Sequence, residues 1–317
     1  MHPFLAKGDC WKFYEGKTHL GDGPYYKVYK VIVKNSSSNE KAKDEEAAVK
    51  VIDLNKIRKG IENDLLRPCR SEDLKVYIND FIKETENMEI LRGKNKDNIN
   101  TVLLIDYFQT KDEFCIVQEL CDGNLRELLE EKEKFSVKEI YQILTQLNNS
   151  FRILKENNLS HKDLRLEKIL TKKNPKGNDY IYKLTGLEFS RKVDELLGIS
   201  GITTNNKYKP PEILANEKAG ETDLNLLSQK ADLWSLGIII FILYFGEFPF
   251  EGNNPNDVLN NIMRNENNRL NEINDIELKD LLKKLLIDEP EDRIDWNGYF
   301  KHKFFSKEKW KYEQFEK

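Results

Sequence analysis

Short runs of Val, Ile, Tyr and Phe, separated by turn residues, dominate the first third of the chain, as is typical of β-strands. Five such runs are present, at residues 12–14, 25–34, 47–54, 102–108 and 114–120. They predict a five-stranded antiparallel sheet. The polar, low-complexity segment 35–46 predicts a mobile hairpin connection between two of the strands.

A helix is predicted from Glu72 to Arg92, where apolar residues recur at helical spacing and Gly93 follows as a stop signal. Residues 55–79 overlap the start of this helix and are mixed in character. Gly60 and Pro68 interrupt them. We interpret 55–79 as an insertion in the first part of the chain.

Beyond the turn at residues 121–124 the pattern is mainly helical, with a capping-box pattern at Ser136 and Glu139 before an amphipathic run. The longest apolar stretch, Leu233–Phe245, is shorter than the roughly 20 residues of a membrane span, so it predicts a buried helix and no membrane insertion. The sequence therefore predicts an α+β chain of two lobes. The boundaries are a tail at 1–11, a sheet-containing lobe at 12–120, a helical lobe at 121–305 and a tail at 306–317.

Composition narrows the class of partner and the compartment. The 317 residues carry a net charge of −4, with acidic and basic residues interspersed, which gives no electrostatic footprint for nucleic acid. The four cysteines have no metal-ligand spacing and form no dense disulfide framework, so a reducing, cytoplasmic setting is expected.

A glycine-containing turn and a downstream lysine are the first candidates for chemistry. Gly21 and Gly23 precede Val28, and glycines at such a turn allow close backbone approach to phosphate. Lys50 ends an Ala-Ala-Val-Lys run, and Glu84 on the following helix is a candidate ion-pair partner. The alternatives are an ordinary hairpin turn, a solvated edge lysine and an exposed helical carboxylate.

The central motif is the stretch Ser160–Leu170, Ser-His-Lys-Asp-Leu-Arg-Leu-Glu-Lys-Ile-Leu. It resembles the His-Arg-Asp-Leu-x-x-x-Asn catalytic loop of protein kinases. Tyr208–Glu212 resembles their Ala-Pro-Glu element, and Ala231–Gly237 resembles the helix that anchors the catalytic loop.

With these motifs, the chain resembles a eukaryotic protein kinase domain of the Ser/Thr type from Lys12 to Phe305. The segments Gln118–Leu125 and Lys230–Trp234 are most similar to Unc-51-like and calmodulin-dependent-type kinases. The resemblance implies a bilobal protein kinase-like fold, with a five-stranded antiparallel sheet plus helix C in the N-lobe and a mainly helical C-lobe.

The resemblance also implies roles for individual residues. Asp163 takes the catalytic-base position, and Arg165 stands where Ser/Thr kinases carry a phosphoryl-contacting Lys. The positions implied to be structural are His161, Glu212, Asp232 and Arg293, with Arg293 paired with Glu212. The resemblance also implies that Glu119 and Cys121 face an adenine and that Asn124 lies near the ribose. The positions implied to bind nucleotide are Gly21, Gly23, Val28, Lys50, Glu84, Gln118, Glu119, Cys121, Asn124 and Lys168.

Several positions depart from the family pattern. Lys168 replaces the catalytic-loop Asn and Gly186 replaces the Asp of Asp-Phe-Gly, so both metal-ligand positions have lost their oxygen ligands. Tyr26 stands at the third glycine of the phosphate loop, where a side chain would crowd a nucleotide. Asp163 would then be a vestigial base in a pseudokinase that works through contacts with other proteins and requires no cofactor.

Three alternatives remain open at this stage. Glu188 or Glu167 would hold a displaced magnesium ion. A basic cluster of Lys168, Arg165 and Lys50 would bind ATP without a metal, unless Lys168 points to solvent or pairs with Glu188. The chain would be an active Ser/Thr kinase with unusual metal use, for which the retained Asp163, Lys50 and Glu84 speak.

Overall fold

The computed structural model describes residues 18–23, 25–33, 45–65, 68–93, 97–177, 179–187, 190–192, 205–219, 229–264 and 268–306. Two compact units divide the chain, and the boundary falls between Asp122 and Gly123. The predicted strand 12–14, the connection 35–44 and nearly all of both predicted tails lie outside the described residues.

The first unit contains the predicted five-stranded antiparallel sheet, in the order β1-β2-β3-β5-β4. Its strands are β1 Thr18–Asp22, β2 Tyr26–Val33, β3 Glu45–Asp53, β4 Leu104–Gln109 and β5 Glu113–Glu119. β1 and β2 form a hairpin, and β3 is buried on both faces. One face of β3 packs Ala47 and Val49 against Val31, Cys115 and Val117, while the other presents Lys50. The strand alternation therefore places Lys50 on the face opposite this apolar cluster.

Residues 55–79, predicted to be an insertion of mixed character, contain a helix and part of a second one. α1 spans Leu54–Leu65 and runs through Gly60. Leu54, Ile57 and Ile61 are buried at helical spacing, and this burial outweighs the cost of about 1 kcal/mol for a glycine within a helix. α2, Ser71–Leu91, then matches the predicted helix C.

The second unit is mainly helical, as predicted. Its helices are α3 Leu125–Lys132, α4 Val137–Glu156, α5 Pro211–Ala219, α6 Gln229–Phe245, α7 Pro255–Met263, α8 Ile276–Leu285 and α9 Trp296–Phe300. Its short strands are β6 Gly123–Asn124, β7 Leu159–Ser160, β8 Ile169–Lys173, β9 Tyr180–Leu184 and β10 Arg191–Lys192. α4 begins at the predicted capping box, in which Ser136 and Glu139 bond reciprocally.

α6 contains the longest apolar stretch of the chain, and most of its residues are buried. Its position inside the second unit agrees with the predicted buried helix. Among the described residues, no helix has both the length and the apolar character needed to cross a membrane.

The β8–β9 ladder sets up the site in the second unit. Ile169 pairs with Leu184 in the antiparallel register. The backbone N–H of Thr185 donates to the carbonyl of Lys168 at 3.0 Å. Backbone geometry therefore holds Lys168, just before β8, next to the residues that follow β9.

Candidate functional site

Lys50 and Glu84 form a buried ion pair in the first unit. The Nζ atom of Lys50 lies 2.8 Å from both carboxylate oxygens of Glu84. The two residues are only 6% and 4% exposed. The structure thus brings together two of the sequence-predicted site residues, and an ion pair between these positions is a requirement for catalysis in protein kinases.

Tyr26 covers this ion pair. The Nζ atom of Lys50 lies 4.2 Å from the centroid of the Tyr26 ring, within the range of a cation–π contact. The ring also lies beneath Gly23, because a Cβ atom at Gly23 would be 2.3 Å from it. Gly21, by contrast, has open space at the equivalent position. The glycine turn of this chain is therefore packed against its own tyrosine.

The position of Tyr26 follows from strand register. Tyr26 and Val28 lie on the same face of β2, and Val28 pairs directly with Lys50 across to β3. A ring at position 26 therefore lies two residues along the strand from the partner of Lys50, within reach of its side chain. The alternation in the sequence was sufficient to find this contact once the register was known.

The segment predicted to face an adenine ring is held by backbone and side-chain bonds. Gln118 pairs with Ala48 on β3. The N–H of Glu119 donates to the carbonyl of Leu103 at 2.9 Å, and its Oε1 accepts the Leu103 N–H at 2.8 Å. Cys121 is half-buried and lies just before the unit boundary.

Asn124 caps a helix rather than presenting a free side chain. Its Oδ1 accepts from the N–H groups of Arg126 at 2.9 Å and of Glu127 at 3.1 Å, at the start of α3. Glu127 in turn accepts the Asn124 N–H. The capping box therefore uses the side-chain oxygen at the position that the resemblance assigns to ribose contact.

Asp232 holds the catalytic-loop backbone in the second unit. Its carboxylate accepts from the hydroxyl of Ser160 at 2.9 Å, from the N–H of His161 at 2.7 Å and from the N–H of Lys162 at 2.9 Å. Burial raises the pKa of Asp232, although these hydrogen bonds oppose the shift. Lys162, with φ +65°, is in the left-handed region, and the bond to Asp232 fixes this turn.

His161 links the same loop to the end of β9. Its Nε2 lies 2.8 Å from the carbonyl oxygen of Thr185, and its Nδ1 accepts the N–H of Asp163 at 3.3 Å. The ring therefore connects the loop carrying Asp163 to the residue that precedes Gly186.

Arg293 and Glu212 form a buried ion pair in the second unit. The two guanidinium nitrogens of Arg293 lie 2.8 and 3.0 Å from the two Glu212 oxygens. Arg293 is 1% exposed and also donates to the carbonyls of Ile287, Lys230 and Asp288. The pairing that the resemblance implies for these two residues is thus present.

Asp163 is neutralised by two cations from its own loop. The Nε atom of Arg165 lies 3.2 and 3.3 Å from the two carboxylate oxygens. The Nζ atom of Lys168 lies 3.6 Å from Oδ2. Asp163 and Lys168 are 5% and 7% exposed, so this is a buried charge cluster. The predicted solvent-facing alternative for Lys168 does not match its burial.

Gly186 lies directly beside Lys168. It has φ +81°, and a Cβ atom placed there would be 2.4 Å from Cδ of Lys168. The two positions at which kinases carry metal ligands are therefore in contact, but they supply an ammonium group and no side chain.

The protein kinase fold implies magnesium with ATP, held by the Asp of Asp-Phe-Gly and the catalytic-loop Asn. Lys168 and Gly186, which stand at these two positions, do not fit a metal. The ammonium group of Lys168 donates hydrogen bonds and offers no lone pair, and glycine has no side chain. Glu167 is occupied by Arg165, whose Nη1 lies 3.4 Å away, and Glu188 lies outside the described residues. Within the described part of the chain, no group of three or more His, Cys, Asp or Glu side chains could hold a metal ion.

The first unit has a five-stranded antiparallel sheet and a buried Lys–Glu pair, and in the second unit Asp232 holds the backbone of the catalytic loop. These features together define the fold of a protein kinase domain. Comparison with known proteins agrees, since residues 14–305 match the family described as "Protein kinase domain". The chain belongs to this family.

Individual relatives are protein kinases by name. Calcium-dependent protein kinase 5 of Plasmodium berghei is 28% identical over 96% of this chain and 48% of its own length. The probable serine/threonine-protein kinase fhkD of Dictyostelium discoideum is 30% identical over 69% of this chain and 30% of its own. Serine/threonine-protein kinase ATG1c of Arabidopsis thaliana is 28% identical over 72% of this chain and 30% of its own. The chain thus spans about half or less of the length of these relatives.

Proposed function

We propose that this protein kinase domain is a pseudokinase, catalytically silent and acting by binding other proteins. The single observation that carries the proposal is the Lys168–Gly186 contact beside Asp163. Phosphoryl transfer depends on metal neutralisation of phosphate charge, and here both ligand positions lack oxygen donors. The charge that would accept a proton on Asp163 is already neutralised by Arg165 and Lys168.

A role in protein binding is supported by what the fold retains. Arg293 with Glu212, and Asp232 with its three donors, keep the frame of the second unit intact. A domain that keeps this frame without metal ligands still presents a stable surface to a partner. Cys69, Cys115 and Cys121 form no disulfide within the described part of the chain, which suits a reducing intracellular compartment.

The direct test is transfer of radiolabelled phosphate from ATP. The wild-type chain should give no more label than Asp163→Asn, with either Mg²⁺ or Mn²⁺ and with a generic protein substrate. Label that depends on Asp163 would refute the proposal. For the binding role, the wild-type chain should capture the same proteins from native extract with Mg²⁺ and with EDTA, and capture that is lost in EDTA would contradict a role that needs no metal.

The second candidate is an active Ser/Thr kinase with unusual metal use. The observation that favours it is the Lys50–Glu84 pair, whose two contacts of 2.8 Å are those of an assembled kinase N-lobe. Two of the relatives reported above carry Ser/Thr kinase names. The same labelling experiment separates this candidate from the first.

ATP binding without a metal is a third, narrower proposal, supported by the cations Lys168 and Arg165 beside Asp163 in the second unit. In thermal-shift titrations with ATP, the melting temperature should rise equally with and without EDTA. No rise in either buffer would exclude the nucleotide, and a rise that EDTA abolishes would indicate a metal.

A further inference from the structure

Lys168 and Gly186 are sterically coupled. A Cβ atom at position 186 would lie 2.4 Å from Cδ, 2.9 Å from Cε and 3.0 Å from Nζ of Lys168. Carbon atoms without a bond between them prefer separations of about 3.5–4.0 Å. The Lys168 side chain therefore occupies the space that the Cβ atom of any other residue at position 186 would need.

The Lys168 side chain has little freedom to move away. It is 7% exposed, and its Nζ atom faces Asp163 at 3.6 Å. Its backbone is fixed on both sides, since the Lys168 N–H donates to the Arg165 carbonyl at 2.9 Å and the Lys168 carbonyl accepts from Thr185. The contact with Gly186 is thus set by the backbone as well as by the side chain.

The charge of Lys168 has a specific partner. Asp163 is 5% exposed, and a buried charge is costly unless it is paired with an opposite charge and hydrogen-bonded. Arg165 supplies one cation at one edge of the carboxylate, and Lys168 supplies a second from the direction of Gly186.

We infer that Lys168 is a built-in cation that replaces the metal ion in this loop, and that it fits only because residue 186 is glycine. This inference rests on the proposed function and deepens it. The two departures are then a single coupled exchange. Restoring the Asp at position 186 alone would add a steric clash with Lys168. Restoring the Asn at position 168 alone would leave the buried Asp163 with less counter-charge. Neither single change therefore recreates a metal site.

The steric half is tested by comparing Gly186→Ala in two backgrounds. Alanine carries a penalty for φ +81° in both backgrounds, so that penalty cancels in the comparison. Gly186→Ala should lower the melting temperature by roughly 5 °C more in the wild type than in Lys168→Asn, whose shorter side chain leaves room. Equal losses in both backgrounds would overturn the coupling.

The charge half is tested without changing Gly186, which keeps the inference testable if Gly186→Ala does not fold. Lys168→Met retains most of the side-chain volume and removes the charge, so it should lower the melting temperature. Asp163→Asn should then cost less in Lys168→Met than in the wild type. An unchanged melting temperature for Lys168→Met, or equal effects of Asp163→Asn, would overturn the role as a cation.

A metal titration of the wild-type chain completes the test. Mn²⁺ alone should leave the melting temperature where EDTA leaves it, and a rise with Mn²⁺ would contradict replacement of the metal. The outcomes are separable from those of the proposed function. Phosphate transfer by the wild type would refute the pseudokinase, whereas additive thermal effects would refute only the coupling.

Discussion

Asp163 and Lys168 face each other as a buried charge pair, with Oδ2 and Nζ separated by 3.6 Å. Arg165 approaches the same carboxylate at 3.2 Å. A catalytic base needs a lone pair directed at its substrate, whereas this carboxylate is directed at two cations of its own loop. Asp163 is therefore better explained as part of the structure of the loop than as a reactive group.

This role for Asp163 predicts the sign of a stability change. Asp163→Asn should reduce the free energy of unfolding by roughly 3 kcal/mol, because it removes the carboxylate that pairs with the buried Lys168 and with Arg165. A residue retained for catalysis behaves in the opposite way, since its removal commonly leaves stability unchanged or raises it. Urea unfolding of the two proteins measures the difference.

The control for Asp163→Asn is Asp97→Asn, which removes the same charge from an exposed position. It should change the free energy of unfolding by less than about 0.5 kcal/mol. Equal stability of Asp163→Asn and the wild type would show that the pairing with Lys168 and Arg165 contributes nothing.

Tyr26 leads to a prediction about nucleotide affinity. Its ring covers the Lys50 ammonium at 4.2 Å, a contact worth about 1–2 kcal/mol when shielded from water. Tyr26→Ala removes this cover, so ATP affinity measured by calorimetry in EDTA should rise about tenfold. Tyr25→Ala is the matched control, because Tyr25 is the exposed neighbour on the same hairpin. An affinity unchanged by Tyr26→Ala would mean that the ring does not restrict Lys50.

Much of the candidate site could be predicted from the sequence, because strands and helices place residues on their faces at regular intervals along the chain. The strand alternation placed Lys50 on a defined face, and helical spacing placed Glu84 on α2. The capping box at Ser136 was likewise evident as a local pattern. The family resemblance supplied the pairing of Arg293 with Glu212, which no local pattern contains.

The sequence alone does not predict contacts between residues that lie on different elements, because no regular spacing along the chain relates them. Lys168 and Gly186 are brought together by the β8–β9 ladder, and only the register shows that one side chain fills the space of the other. α1 was missed for a different reason. Gly60 suggested an interruption, but the burial of Ile57 and Ile61 outweighs its low helix propensity.

The Arg293–Glu212 pair predicts a large loss of stability on neutralising one partner. Glu212→Gln should lower the free energy of unfolding by roughly 3–5 kcal/mol, because it leaves Arg293, 1% exposed, with a buried charge. The matched control is Glu251→Gln, which breaks an ion pair with Lys207 at a site where Glu251 is 65% exposed. That change should cost less than about 1 kcal/mol. Similar losses for the two variants, measured by urea unfolding, would contradict the buried pair as a support of the fold.

His302 predicts a dependence of stability on pH. Burial lowers the pKa of His302, and the nearby Lys284 adds to the shift, while the hydrogen bond with Asp280 and the charge of Glu277 oppose it. The Nδ1 atom accepts the N–H of Phe304 at 3.2 Å, and Nε2 lies 2.9 Å from Asp280. Protonation at Nδ1 would remove the acceptor for Phe304, so the folded protein favours the neutral ring.

Because the pKa of His302 is lower in the folded state, the unfolded chain binds the proton more readily. The free energy of unfolding should therefore fall as the pH decreases from about 7 through the ordinary histidine range near 6.5. His302→Asn keeps an acceptor for the Phe304 N–H and cannot titrate. Urea unfolding at pH 7 and pH 5 should show a smaller loss for His302→Asn than for the wild type. An equal loss in the two proteins would assign the pH dependence to other groups and contradict the prediction for His302.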